Sequence, residues 1–183
     1  MLSDNHRQLL KKLAQDSIEY GLAHQRPLFV DVLTMPEELS ELRATFVTLE
    51  INNQLRGCIG MLEAQRPLAE DVANNSYAAA FSDPRFPAIK NHELSNLSIH
   101  ISILSPAVQL NIQSEADLLK QLQPDIDGLI IEDNAHHATL LPSVWQSLPR
   151  AEDFVHHLKV KAGFNVDYWS KDIRAYRYSS ESF

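Results

Sequence analysis

Hydrophobic residues change their spacing along the first half of the chain, and the changes predict a helix followed by a hairpin. Over residues 5–20 apolar positions recur every three or four residues, which predicts an amphipathic helix with Gly21 at its C′ position. Residues 45–51 and 55–62 are rich in strand formers, and Asn52-Asn53-Gln54 between them favours a turn. The two strands therefore predict a β-hairpin.

The rest of the chain predicts helices and strands in mixed order. Residues 97–104 alternate most clearly, with isoleucines on one face and Ser98, His100 and Ser102 on the other. Residues 26–41 have no period and are interpreted as irregular or weakly extended. The other segments predict helices over 68–81, 115–122 and 151–162, a helical turn from Pro142, and strands over 129–131, 138–141 and 173–178. Helices mixed with hairpins indicate an α+β fold rather than a regular βαβ winding.

Length and composition fit one globular domain. The chain has 183 residues, of which 44% are hydrophobic and 22% are charged, values typical of a folded domain. No apolar run approaches the roughly 20 residues that span a bilayer. The N-terminus is polar from Ser3 onward and lacks the apolar core of a signal peptide. We therefore expect a cytoplasmic protein without membrane association.

Charge and cysteine content exclude several function classes. Sixteen Lys and Arg against 24 Asp and Glu give a net charge of -8, which argues against a nucleic-acid binder except through a local basic patch. The single cysteine, Cys58, excludes an intrachain disulfide and a Cys-rich metal site. His136-His137 and His156-His157 are adjacent pairs, not the i,i+4 pairs of a helical zinc motif. Since no nucleotide or cofactor loop is present either, we expect neither a metal nor a cofactor.

The segment Leu55-Arg56-Gly57-Cys58-Ile59-Gly60 is the most specific chemical feature of the sequence. Strand alternation predicts that Arg56, Cys58 and Gly60 share one face. A three-residue loop at 52–54 would place Glu50 opposite Arg56 and Thr48 opposite Cys58. The glycines remove bulk beside the thiol, so a ligand or another backbone segment can approach closely.

Two interpretations of Cys58 stay open at this point. In the first it is a nucleophile, Arg56 favours its thiolate form, and His100 on the polar face of a neighbouring strand is the base. In the second it is a small buried hydrophobic residue, and Gly57 and Gly60 accommodate a packing contact.

Asp83-Pro84-Arg85-Phe86 predicts a type I turn that also has two interpretations. Arg85 would either present its guanidinium to an anionic ligand or pair with Asp83 while that carboxylate caps the turn. The second interpretation assigns the segment a structural role only.

The hexapeptide at Leu55–Gly60 resembles the signature of the AMMECR domain family, whose bacterial and archaeal members are called protein A of the AmmeMemoRadiSam system. Further segments fit the family in order: Thr45-Phe46-Val47-Thr48-Leu49, Phe81-Ser82-Asp83-Pro84-Arg85-Phe86-Pro87, Asp127-Gly128-Leu129-Ile130-Ile131-Glu132, Leu141-Pro142-Ser143-Val144-Trp145, Leu158-Lys159-Val160-Lys161-Ala162-Gly163 and Tyr176-Arg177-Tyr178. The resemblance implies one compact domain over residues 1–183. It would have two lobes, built around an antiparallel sheet flanked by helices.

The resemblance implies a setting for the protein but no established reaction. It suggests that the gene occurs together with genes for a Memo-like protein and a radical S-adenosylmethionine enzyme. The protein would then be a binding or accessory component of their pathway. The signature residues carried over as a candidate pocket are Arg56, Gly57, Cys58, Gly60, Asp83, Arg85 and Phe86. The alternative is an enzyme that uses Cys58 as a thiolate nucleophile. The oligomeric state stays open, with a homodimer among the alternatives.

Overall fold

The computed structural model describes residues 1–134 and 136–183. The chain forms two compact units, Met1–Leu104 with Glu181–Phe183 and Ser105–Ser180. The first has its own hydrophobic core, and so does the second. The predicted α+β class is confirmed, with one correction: there are two four-stranded antiparallel sheets instead of one.

The order of elements follows the predicted mixture closely. The α-helices are α1 (Asp4–His24), α2 (Glu37–Ser40), α3 (Leu68–Phe81), α4 (Glu115–Gln121) and α5 (Ala151–Lys161). The strands are β1 (Thr45–Ile51), β2 (Gln54–Gly60), β3 (Leu97–Leu104), β4 (Val108–Gln109), β5 (Gly128–Asp133), β6 (His136–Leu140), β7 (Arg174–Tyr178) and β8 (Ser180–Ser182). Short 3-10 helices lie at Val32–Thr34, Asn91–Asn96 and Pro142–Gln146.

In the first unit, helices cover one face of the sheet, whose strand order is β2-β1-β3-β8. Val47, Leu49 and Ile101 point to the covered face and are fully buried in the core shared with α1 and α3. Because strand residues alternate, Thr48 and His100 point to the opposite face, which we call the outer face of the sheet. The alternation predicted for residues 97–104 is thus confirmed.

A buried carboxylate fastens α3 to the start of β1. Asp71 is 1% exposed, and its Oδ2 accepts hydrogen bonds from the Thr45 N–H at 3.0 Å and the Thr45 hydroxyl at 2.7 Å. Asn75, one turn further along α3, donates to the same Asp71 oxygen at 2.9 Å. Burial raises the pKa of Asp71 above its ordinary value. These bonds fix where the helix lies along the strand.

Helix α1 continues one turn past its predicted end, so the assignment of Gly21 as the C′ residue is wrong. The left-handed residue after the helix is Gln25, with φ of 55°, whose N–H bonds to the Gly21 carbonyl. A Cβ at Gly21 would lie 2.6 Å from the ring of Phe81 and 2.7 Å from that of Tyr77. This glycine therefore permits close packing of α1 on α3 and does not end the helix.

The hairpin differs from the predicted three-residue loop. Ile51 pairs with Gln54 across a two-residue turn, Asn52-Asn53, in which both residues have positive φ. This is the conformation of a type I′ turn. The pairing then shifts between Leu49 and Glu50, because Glu50 faces Leu55 and Leu49 faces Gly57.

Arg56 is therefore the extra residue of a β-bulge. The predicted pairing of Arg56 with Glu50 is wrong, since Glu50 is paired with Leu55. The two-residue turn and the bulge together give the register predicted for the rest of the hairpin, so Thr48 pairs with Cys58 as predicted.

The second unit places its sheet, of order β4-β7-β5-β6, beside α4 and α5. Its core contains Trp145, whose ring stacks on Phe154 with centroids 3.9 Å apart and whose Nε1 donates to the Asp127 carbonyl. Gly163, with φ of 85°, follows α5 as predicted. The two shortest strands, β4 and β8, were not predicted. Among the described residues, no helix is both long and apolar enough to cross a membrane.

We expect Gly57→Ala to destabilise the protein strongly. A Cβ at this position would overlap the backbone carbonyl oxygen of Ala79 in α3, and a backbone atom cannot move aside without displacing the helix. The free energy of unfolding, measured by urea denaturation, should fall by about 2 kcal/mol or more.

Leu55→Ala on the same strand is the control, because Leu55 is exposed. Its effect should stay within about 0.5 kcal/mol. Equal stability of Gly57→Ala and wild type would contradict the close packing of α3 on β2.

Candidate functional site

Cys58 lies on β2, which is an edge strand of the first sheet. Its backbone groups point away from β1 and would be unpaired if nothing covered the edge. The Cys58 N–H donates to Asp83 Oδ2 at 2.8 Å, and the Cys58 carbonyl accepts from Arg85 Nη2 at 3.2 Å. The turn after α3 thus binds the edge strand with two side chains, an arrangement that we call the edge clamp (Asp83 and Arg85).

Asp83 is the centre of the edge clamp. It is 4% exposed and receives two bonds from the Arg85 guanidinium, from Nη2 at 2.7 Å and from Nε at 3.0 Å. The Arg85 N–H also donates to Asp83 Oδ1, and Phe86 N–H closes the turn on the Asp83 carbonyl. The hydrogen bonds from Arg85, with those from the Cys58 and Arg85 backbone, hold the pKa of Asp83 well below its ordinary value.

Arg56 pairs with Glu93 and not with the thiol. Its Nε lies 2.8 Å from Glu93 Oε1 and its Nη2 lies 3.2 Å from Oε2, and both side chains are largely buried. Lys90 N–H donates to the same carboxylate, and these bonds lower the pKa of Glu93. The expected role of Arg56 as the cation beside Cys58 is therefore not supported. The guanidinium that contacts the cysteine residue is that of Arg85.

Cys58 and His100 share the outer face but are not neighbours. Thr48 on β1 lies between them, paired with Cys58 on one side and with His100 on the other. Two strand spacings separate the two residues, which is roughly 9–10 Å. The half-buried Cys58 sulfur lies 3.3 Å from the Thr48 hydroxyl, and His100 Nε2 lies 3.6 Å from Glu50. The expected contact between the thiol and a histidine base is not formed.

The remaining signature residues serve packing in this structure. Gly57 faces the backbone of α3, and Gly60 lies under the ring of Phe46, its cross-strand partner. The ring of Phe86 lies 5.5 Å from the Arg85 guanidinium. The close approach predicted for the glycines is thus made by the protein's own helix and aromatic ring.

Sequence reasoning missed Glu93, which orients Arg56. It lies 37 positions further along the chain, in a segment that has no period. Over residues 1–134 and 136–183, no group of three or more His, Cys, Asp or Glu side chains is arranged to hold a metal ion.

This chain is similar to known proteins over nearly its whole length. The family model described as AMMECR1 matches residues 11–183. A protein of Methanothermobacter thermautotrophicus is 34% identical over 188 residues, covering 100% of this chain and 95% of the relative. Protein MJ0810 of Methanocaldococcus jannaschii is 32% identical, covering 94% of this chain and 86% of the relative. The crystal structure of the uncharacterized protein PH0010 from Pyrococcus horikoshii has a TM-score of 0.91 at 31% identity and covers 99% of this chain and 92% of that one.

We expect Asp83→Asn to lower stability at neutral pH and to remove part of its acid dependence. Asn cannot accept the charge-assisted bonds of Arg85, so the free energy of unfolding should fall by about 2 kcal/mol at pH 7. In the wild type the pKa of Asp83 is lower in the folded state than its ordinary value of 3.8. Its stabilisation is therefore present above that value and is lost as the pH falls through the folded-state pKa.

The measurement is urea denaturation of wild type and variant between about pH 7 and about pH 3. The difference in stability between them should shrink as the pH falls below about 4. Asp16→Asn on α1 is the control, because Asp16 pairs with Lys12 at the surface. An Asp83→Asn difference that stays constant over this range would contradict the role of the ionised carboxylate.

Proposed function

Because this chain belongs to the AMMECR1 family, we propose that it is a binding or accessory component of a multi-protein pathway and that its outer sheet face contacts the partner. The observation that carries this proposal is the use of the signature residues inside the fold. Arg56 is bound by Glu93, and the backbone of Cys58 is bound by the edge clamp. Because contacts within the fold hold these residues, the signature segment supports a rigid surface.

The same geometry weighs against the enzyme alternative. A cysteine nucleophile needs a base within hydrogen-bond reach or a cation that stabilises the thiolate. His100 is separated from Cys58 by strand β1, and Arg56 forms an ion pair with Glu93.

Two side chains interact with the Cys58 thiol, the neutral hydroxyl of Thr48 and the guanidinium of Arg85. Arg85 donates two hydrogen bonds to the Asp83 carboxylate, which offsets its charge. Because His100, the expected base, does not contact the thiol, the geometry favours a structural role for Cys58.

The outer face has the character of a polar recognition surface. Ser98 and His100 are exposed along β3, and Glu50 and Thr48 lie beside them on β1. Hydroxyls, an imidazole and a carboxylate on a rigid sheet provide hydrogen-bond groups at fixed positions. Such a surface suits a protein partner with a complementary polar patch.

The partners proposed are a Memo-like protein and a radical S-adenosylmethionine enzyme. We propose these partners because the signature segments resemble the AMMECR family. The proposed contact on the outer face can be tested at Ser98, since an added charge there would oppose docking without disturbing the core. Direct nucleic-acid binding is not proposed, because the net charge is -8.

The test measures binding of the full chain to each purified partner by calorimetry. We expect a dissociation constant below ~100 μM with at least one partner. Ser98→Arg on the outer face should weaken binding at least about tenfold, because it places a bulky charged side chain at the contact.

Gln15→Arg is the matched control, since it adds the same charge at an exposed position on α1. Its affinity should equal that of wild type. Absence of binding to both partners at high micromolar concentration would overturn the accessory function. Equal losses in Ser98→Arg and Gln15→Arg would overturn the location on the outer face.

A further inference from the structure

The second unit contains an open cleft of about 790 Å³ that the proposed function does not use. Three segments line it: residues 109–112, which begin at the last residue of β4, Asp133 and Asn134 at the end of β5, and residues 171–174, which lead into the first residue of β7. Its volume is within the range of small-ligand sites, roughly 300–1,000 Å³. The cleft therefore has room for a ligand of several residues.

The cleft lies where the pairing of β4 with β7 ends. The β4 segment follows β7 as far as the bond from Leu110 N–H to the Ala175 carbonyl at 2.9 Å. By strand alternation, the next backbone groups on this side are the Ile112 N–H and the Ile173 carbonyl. Within the described residues, neither of these groups has a hydrogen-bond partner. Both residues line the cleft.

A buried carboxylate keeps the walls of the cleft in place. Asp133 is 2% exposed and accepts hydrogen bonds from the Ser170 hydroxyl, from the Tyr168 hydroxyl at 2.7 Å and from the Asn134 amide at 2.7 Å. The bonds from Ser170 and Tyr168 lower its pKa. Because the segment before β7 is tied to the end of β5 in this way, the cleft is preformed.

Lys159 also holds the segment before β7, through the carbonyl of Tyr168. It is 1% exposed, and its Nζ donates to Glu115 at 2.8 Å and to the Tyr168 carbonyl at 3.3 Å. A buried ammonium requires such partners, so the contact is expensive to break. Tyr168 is thus fixed through both its hydroxyl and its carbonyl.

The charges in the cleft fit a carboxylate ligand. Lys171 is exposed at its rim, and Arg174 is oriented by a bond from Nε to Glu132 at 3.0 Å while 57% of its side chain stays exposed. These two cations are three positions apart on the same wall. Asp172 lies between them in sequence and would face a ligand's N–H or ammonium group instead. Leu110 and Ile173 provide apolar surface next to these groups.

We propose that this cleft binds the carboxylate end of a short extended peptide. Lys171 and Arg174 contact the terminal carboxylate, and the Ile112 N–H and Ile173 carbonyl bond to the peptide groups. Backbone pairing at a strand edge combined with capture of a terminal carboxylate is an established mode of peptide recognition. The ligand is either a free short peptide or the C-terminal tail of a protein.

The probe is the tripeptide Ala-Leu-Ala, titrated into the full chain and followed by amide NMR shifts and calorimetry. We expect saturable binding with a dissociation constant of ~1 mM or tighter, and shifts concentrated at residues 109–112 and 171–174. The C-terminal amide of the same peptide should bind at least about tenfold more weakly, because it lacks the charge. An acetylated peptide that binds as well as the free one indicates a protein tail, whereas a loss indicates a free peptide that contacts Asp172.

Lys171→Met keeps most of the side chain and removes its charge, so it should weaken binding of the free acid by about tenfold. Lys120→Met is the matched control, since Lys120 is an exposed lysine on α4 outside the cleft. Circular dichroism checks that both variants are folded. The proposal is overturned by no binding up to ~10 mM, by equal binding of acid and amide, or by equal losses in the two variants.

Discussion

The outward backbone groups of an edge strand need hydrogen-bond partners, and at Cys58 in the first unit two side chains provide them. Asp83 accepts the Cys58 N–H and Arg85 donates to the Cys58 carbonyl. A neighbouring strand would make the same pair of bonds, so the turn acts as a short substitute for a strand. Pro84 and the hydrogen bond that closes the turn hold the two side chains at the required spacing. The position of β2 depends on this arrangement.

The other side of β2 is equally constrained. Gly57 lies against the backbone of α3, and the same helix leads directly into the turn that carries the edge clamp. The bulge at Arg56 directs its guanidinium to Glu93. Helix, strand and turn therefore fix one another around Cys58. This arrangement supports the proposal that the outer face, where Thr48 and His100 lie, contacts the partner.

In the second unit, buried charges order an irregular segment. Asp133 and Lys159 both bind residue Tyr168, and Asp133 also binds Ser170. Since a buried ion is stable only with its partners in place, these contacts hold the segment in one conformation. The cleft beside β7 is a consequence of that order. In both units, buried carboxylates thus hold one backbone segment against another.

The sequence by itself determined the local structure and the family. The bounds of β1, α3 and β3 were predicted as found, because strand alternation and helical spacing of apolar residues depend only on near neighbours. The position of Lys159, four residues after the buried Val155, also indicates burial, although this was not predicted. The tertiary structure alone decided the rest. Asn52-Asn53 permits either loop length, and the register was set by a bulge whose arginine pairs with Glu93. Helix α1 passes through Gly21 because α3 packs there. These outcomes depend on contacts between residues far apart in the chain, and no local pattern encodes them.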